Sequence, residues 1–289
     1  MALSLRQLRR RIRSVEGTKK MTHAMEMVAA TKLRRFQSAL VQSDRYIHDV
    51  TRILSTLVRE KPLAHPLLEK RPEIHSSLVF LMTSDTGLCG SYNINVLDTL
   101  DQFLEESGDP KTISFVALGR SGAGFLRRKG LGVTHEMTIP RPQDIDHTIK
   151  EMAQIAVRHF AEREVDQVFL VYTRVVSLAS LKPRVEKLFP ISGEHALEEK
   201  TSTVDYLLEP TLDQVLEVIL PEYVEAKTGQ CVRHALVAEQ ASRMMAMRQA
   251  TDNAKEMIDS LTLLRNKMRQ ASITKELIEV VSGSAAQKR

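Results

Sequence analysis

Tryptophan is absent from the 289 residues and aromatics make up 4% of them. The large anchors that dominate most cores and interfaces are therefore scarce. Cys89 and Cys231 are the only cysteines; they suggest no disulfide framework or zinc site, and free thiols in a reducing compartment are expected. No apolar run reaches the roughly 18 residues that a membrane-spanning helix needs. Phosphate-binding and metalloprotease signatures are missing too: neither G-x-G-x-x-G, G-x-x-x-x-G-K-[ST] nor H-E-x-x-H occurs. These absences leave a chain that is 43% hydrophobic and 27% charged, with a net charge of +5. That balance fits a packed domain plus extended helix, and the charge implies an acidic or polyanionic partner.

One further absence is local. Residues 231–282 contain no glycine, proline or aromatic residue, and good helix formers fill them. Met247, Ala250, Ala254, Met257, Leu261, Leu264, Met268 and Ala271 step by alternating threes and fours, and the series resumes at Ile278. A period of 3.5 predicts a helix that supercoils left-handedly on a partner. At 1.5 Å per residue it would run roughly 75 Å, a rod rather than part of one small core.

A second long helix is expected from Ser4 to about Arg59. Leu5, Leu8, Ile12 and Val15 open its seam, which continues after a phase shift as Met21, Met25, Val28 and Phe36, then Tyr46, Val50, Ile53 and Leu57. The Arg-rich, acid-free start superficially resembles a transit peptide, but the helical pattern runs through it and mature sequence is expected. Over the first 35 residues the basic side chains, among them Arg6, Arg9, Arg10, Lys32, Arg34 and Arg35, are opposed only by Glu16 and Glu26. A solvated helix face is the plain reading of that strip; a surface meeting acidic protein or phosphate is the sharper one. Methionine is concentrated in the same helices, and those off the seam would offer a soft surface able to repack against successive partners.

Between the helices the pattern changes. Residues 59–77 carry three prolines and read as a linker. Residues 78–82, 113–118 and 168–172 are short apolar runs, expected as parallel strands covered on both faces. Helical periodicity separates them, at Ile94, Leu97, Leu100 and Leu104 and again from Ile145 to Phe160. Right-handed crossovers would join these into a small open α/β domain. Residues 140–142 mark a loop, 182–188 a possible edge strand, and 192–203 a polar loop. Residues 211–220 are again helical, with Pro221 placed to kink that helix or open the next. The two terminal helices are expected to pair antiparallel, with the last turns of the C-terminal one overhanging.

Chemistry is hard to find. The turn SDTGLCG at 84–90 and the segment GRSGAG at 119–124 miss the nucleotide spacings and read as tight strand-to-helix turns. Asp144, Asp146 and His147 could hold a cation weakly, but fit better as a helix cap and first turn. His23 and His234 are expected as polar helix positions, and Cys89 as a small buried hydrophobe. No catalytic, cofactor or metal residues are assigned. A nucleic-acid-binding coiled coil would bind with steep salt dependence, yet stacking aromatics are missing; no nucleic-acid partner is expected.

Three stretches are more specific: KKMTHAMEMVAATKLRR at 19–35, SDTGLCGSYNIN at 84–95 and NKMRQASITKELIEVVSGSAA at 266–286. Together, with the helix–domain–helix layout, they resemble the gamma subunit of F-type ATP synthases, across essentially the whole chain. Departures from the family pattern stand at Thr86, where Arg is usual, and at Ser284, where Ala is usual. The resemblance implies an antiparallel two-helix coiled coil of the terminal helices with an inserted, Rossmann-like α/β domain: a coiled-coil helix at 1–59, a linker at 60–77, a globular domain at 78–210 and a second coiled-coil helix at 211–289. It implies a non-catalytic rotor shaft inside a ring of alternating alpha and beta subunits, with the epsilon subunit and the membrane c-ring at its foot. The complex would lie on the cytoplasmic face of a bacterial inner membrane, with no insertion of this chain. Met25, with Lys32, Arg34 and Arg35 of the basic strip, would face an acidic loop of a beta subunit. Arg269, Gln270 and Thr274 match residues that bond a catch loop in the ring, and Tyr206 and Glu209 fall near the foot. An acidic partner for the basic strip overrides the solvated-face reading.

Overall fold

A computed structural model describes residues 4–60, 65–107, 112–191, 209 and 211–287. Their order is α1 (Leu5–Glu60), a 3-10 turn (Pro66–Leu68), β1 (Ser77–Met82), α2 (Tyr92–Glu106), β2 (Ile113–Leu118), α3 (Arg120–Arg128), β3 (Val133–Met137), α4 (Ile145–Ala161), β4 (Gln167–Ser177), β5 (Ser180–Phe189) and α5 (Leu212–Gln287). Two compact units divide the chain: Met1–Ala29 with Arg243–Arg289, and Ala30–Ser242.

In the first unit, α1 buries Leu8, Ile12, Thr22 and Ala29, while Leu5, Val15, Lys19 and Glu26 are half-buried. These positions form one unbroken heptad series, which α1 itself continues through Leu33, Phe36, Leu40, Ile47, Val50, Leu54 and Leu57. The expected phase shift does not occur. Met21, Val28 and Tyr46 are exposed, at 62%, 57% and 51%, and the seam passes instead through the polar Lys19, Thr22 and Glu26. Apolar character misplaced the seam because these polar side chains can bury their stems or bond locally. Thr22 shows how: its hydroxyl lies 3.1 Å from the Lys19 carbonyl and 2.8 Å from the Thr251 hydroxyl.

The α5 half of this unit repeats the lesson. Met247 and Ala254 are buried, and Thr251, Ile258, Leu261, Arg265, Met268 and Ser272 are half-buried. Ala250 and Thr251 are both half-buried, and further along alternate seam positions are one residue beyond those expected: Ile258 rather than Met257, Arg265 rather than Leu264, Ser272 rather than Ala271. Met257 is 53% exposed and Leu264 40%. An antiparallel run from the Thr22–Thr251 pair brings Leu8 level with Arg265 and Leu5 level with Met268. Burial on α5 indeed stops at Ser272, and every side chain from 273 to 282 is exposed.

The second unit is built on a five-stranded sheet of order β3-β2-β1-β4-β5. The first four strands are parallel and β5 runs antiparallel to β4. β1 and β2 are buried almost throughout, as central parallel strands covered on both faces must be. Val79, Leu81, Phe115, Ala117 and Val171 pack with Val96 and Leu100 of α2 and Leu126 of α3. By alternation Leu78, Phe80 and Met82 face the other side, where α4 stacks Phe160 on Phe189 of β5, ring centroids 4.8 Å apart.

Two elements differ from expectation. β3 alternates half-buried and exposed residues and carries Thr134, His135 and Glu136, so a search for continuous apolar runs passes over it. GRSGAG is not merely a turn: only Gly119 makes the turn, and α3 begins at Arg120. Gly119 has φ +103° and an added Cβ would lie 2.2 Å from the Thr83 carbonyl oxygen, so no other residue fits there. The edge strand is present and longer than expected, and Pro183 is tolerated within it because β5 is the last strand of the sheet among the described residues. α5 is continuous through Pro221 and Gly229 from Leu212. The polar loop expected at 192–203 lies outside the described residues.

Candidate partner-contact surfaces

In the first unit, the face of α1 beside its buried seam carries Met21, Met25 and Val28 at spacings of four and three, all exposed. Arg6, Arg9, Arg10, Arg11 and Arg13 are exposed on the preceding turns. On α5 the side chains of Arg269, Gln270 and Thr274 are exposed, and the Thr274 hydroxyl donates to the Gln270 carbonyl at 3.0 Å. Ile273, Leu277, Ile278, Val280 and Val281 are exposed around them, from 49% to 70%. A lone two-helix pair gains nothing from so much uncovered apolar surface.

In the second unit Lys32, Arg34 and Arg35 are exposed on α1, flanking buried Leu33 and Phe36. Glu209 is exposed; Tyr206 lies outside the described residues. Sequence reasoning missed a buried polar cluster in this unit. Glu186 of β5 is 8% exposed and Tyr172 of β4 is 1% exposed. The Glu186 carboxylate pairs with the Lys227 ammonium of α5 and accepts a 2.6 Å bond from the Tyr172 hydroxyl, with Arg184 Nε at 3.7 Å. Burial alone would raise the Glu186 carboxyl, but the Lys227 charge prevails and holds it below its usual value. Burial likewise works against the Lys227 ammonium, which its surroundings nonetheless hold above the usual lysine value. The adjoining Cys231 thiol is fully buried and pushed up to about 12, chiefly by that burial. It is a protonated packing group, not a nucleophile.

His234, expected as an incidental polar position, is 4% exposed. Its Nδ1 accepts the Val175 amide at 3.3 Å, and its Nε2 lies 3.6 Å from Asp44. Asp146 is tied to Arg233 at 2.7 Å instead of awaiting a cation, and among the described residues no cluster of three or more His, Cys, Asp or Glu is arranged to hold a metal. The SDTGLCG turn is held by its own network: the Ser84 amide donates to Asn93 Oδ1 at 3.0 Å, and Asp85 accepts the Arg120 and Ile139 amides at 3.0 and 3.1 Å. Cys89 is buried at its end. That network ties the turn to the first residue of α3, to α2 and to the segment after β3.

Comparison with known proteins supplies what geometry alone does not. The model of the ATP synthase family matches residues 4–287. An ATP synthase gamma chain from Paraburkholderia phytofirmans is 38% identical over 292 residues, covering 98% of this chain and 99% of its own. One from Moorella thermoacetica is 39% identical over 287 residues with the same coverage. This chain belongs to the ATP synthase gamma-chain family. As a member it is a central-stalk subunit of that complex. Among solved structures, a chain of the Euglena gracilis mitochondrial ATP synthase, described as OSCP/F1/c-ring in rotational state 3, has a TM-score of 0.67 at 17% identity and covers 98% of this chain and 94% of its own. A chain of the Tetrahymena thermophila mitochondrial ATP synthase, described as central stalk/c-ring, has a TM-score of 0.59 at 22% identity, covering 80% and 99%. These share the fold: terminal helices around an inserted sheet domain. Among the described residues of this gamma chain, no helix is long and apolar enough to cross a membrane.

Proposed function

We propose that this chain is the non-catalytic rotor shaft of a proton-transporting ATP synthase, coupling c-ring rotation to conformational change at the beta subunits, in synthesis and in hydrolysis. The end-to-end match to gamma chains carries this reading. In it, 1–59 and 211–289 are the shaft helices, 60–77 the linker and 78–210 the foot. The shaft stands within a ring of alpha and beta subunits, and the foot meets the epsilon subunit and the c-ring on the cytoplasmic face of a bacterial inner membrane.

Physical chemistry supports the assignment of surfaces. Met25, with exposed Met21 and Met27 nearby, is soft and polarizable, suited to repacking as successive beta subunits pass. Lys32, Arg34 and Arg35 supply charge for an acidic loop of a beta subunit. Arg269, Gln270 and Thr274 supply donors for a catch loop, and Tyr206 and Glu209 belong to the contact at the foot. A single chain within a threefold ring presents a different face to each beta subunit, so turning it changes the relative energies of their open and closed states.

The test is reconstitution. An alpha–beta ring is assayed for ATP hydrolysis with and without this chain. Stable association and altered, rotation-coupled turnover are expected; failure to bind the ring would remove the proposal.

A further inference from the structure

Within the second unit, α5 is gripped at five points along residues 227–242. Lys227 pairs with Glu186 of β5, whose other oxygen accepts the Tyr172 hydroxyl of β4 at 2.6 Å. Gln230 donates to Asp44 of α1 at 2.8 Å, and Arg233 to Asp146 at the start of α4 at 2.7 Å. His234 accepts the Val175 amide of β4, and Ser242 donates to the Cys89 carbonyl at 2.6 Å. The same helix therefore makes directional bonds to a strand pair, two helices and a loop over about four turns.

Between these bonds the buried apolar side chains are mostly short: Ala226, Val232, Ala235, Val237, Ala238 and Ala241, with Leu236 the one long exception. Short side chains give shallow ridges, so steric interdigitation resists rolling of the helix less than long side chains would. Burial energy depends on area removed from water and has no direction. An ion pair and short hydrogen bonds do have direction, and are satisfied at one azimuth only. Buried polar groups fixing register is a role such groups have elsewhere, where an apolar replacement would serve stability equally well.

We infer that the Glu186–Lys227–Tyr172 cluster is a rotational lock, which sets the azimuth of α5 on the sheet so that torque passes between the sheet and the helix without slip. The inference rests on the shaft reading above. These are positioning residues: Tyr172 and Glu186 are buried and Lys227 half-buried within this unit.

The experiment uses the whole ATP synthase in inverted membrane vesicles, reading ATP hydrolysis and ATP-driven proton uptake together. Wild-type chain must support both; if it does not, the shaft reading fails, whatever the lock does. The combined variant Tyr172→Phe, Glu186→Leu, Lys227→Met removes all three polar partners at once and leaves none of them orphaned. The lock predicts a melting temperature at or near wild type, with protons pumped per ATP clearly reduced. A merely structural cluster predicts that pumping follows stability, so a stable variant pumping as wild type overturns the inference. Glu186→Gln removes the charge and one of the two acceptor oxygens, so the Lys227 and Tyr172 donors cannot both be accepted as before, and it decides the matter alone if the combined variant does not fold: a smaller loss of protons per ATP is expected, and wild-type pumping again overturns the lock.

Discussion

At the scale of single residues, the informative side chains are polar ones whose partners lie far away in sequence. Asp166 accepts the His75 and Ser76 amides at 2.8 and 3.0 Å and pairs with Arg71 at 3.1 Å. Arg71 in turn donates to the Phe160 carbonyl at 2.7 Å and lies over the Phe160 ring. Burial would raise the Asp166 carboxyl, but these donors outweigh it and hold it below its usual value. A carboxyl depressed in the folded state binds protons more weakly there than in the unfolded chain. Its contribution is therefore present above the unfolded value and is lost as pH falls through the folded one. Asp166→Asn should lower the melting temperature at neutral pH and lessen its decline on acidification; equal acid limbs in the two proteins would contradict this. Arg269 is the opposite case. It is exposed on α5, so Arg269→Glu should leave thermal unfolding within about 0.5 kcal/mol. It should still weaken assembly or coupling, and unchanged ATP synthesis would count against the catch-loop assignment.

At the scale of elements, much was legible. Both long helices, strands β1, β2 and β4 and helices α2 and α4 follow from hydrophobic period and length alone. What was not legible has a common cause: hydrophobicity is a proxy for burial and fails where the two part. β3 is half-covered and polar, so its strand pattern is weak. The α1 seam runs through Lys19, Thr22 and Glu26, while the methionines that looked like core stand outside it. The misplaced seam and the proposed contact surface rest on one observation, the exposure of Met21, Met25 and Val28. The partner contacts could be named only through resemblance, since an exposed arginine on a helix has no periodic signature. Register can be checked directly. Ala29 is 1% exposed and Val28 57%. Ala29→Leu should overpack the seam and cost about 1–3 kcal/mol, whereas Val28→Gln should fall within about 0.5 kcal/mol of wild type. Thermal unfolding that ranked the two the other way would restore the phase shift read from the methionines.

At the scale of the molecule, a shaft must be stiff where it bears on others, and need not be held by them everywhere. The α5 tip sharpens this. Beyond Ser272 no described side chain is covered, and Val280 and Val281 are 70% and 67% exposed. Apolar groups so exposed contribute nothing to folding of the chain, so any role lies in the complex. Two roles are separable. If the tip seats in a narrow apolar bearing by burying its valines, replacing both with threonine puts an unpaired hydroxyl into the seat at about 1–3 kcal/mol per side chain. If instead the tip acts as a peg, filling space while torque is transmitted lower down, size matters more than polarity, and the nearly isosteric threonines change little. The peg is the expected answer, because in the proposed shaft the methionines and basic residues of α1 supply an adaptable contact. Val280→Thr with Val281→Thr should therefore leave the melting temperature, assembly and torque measured on a single rotating complex as in wild type, and a fall in torque with assembly intact would show that the bearing grips.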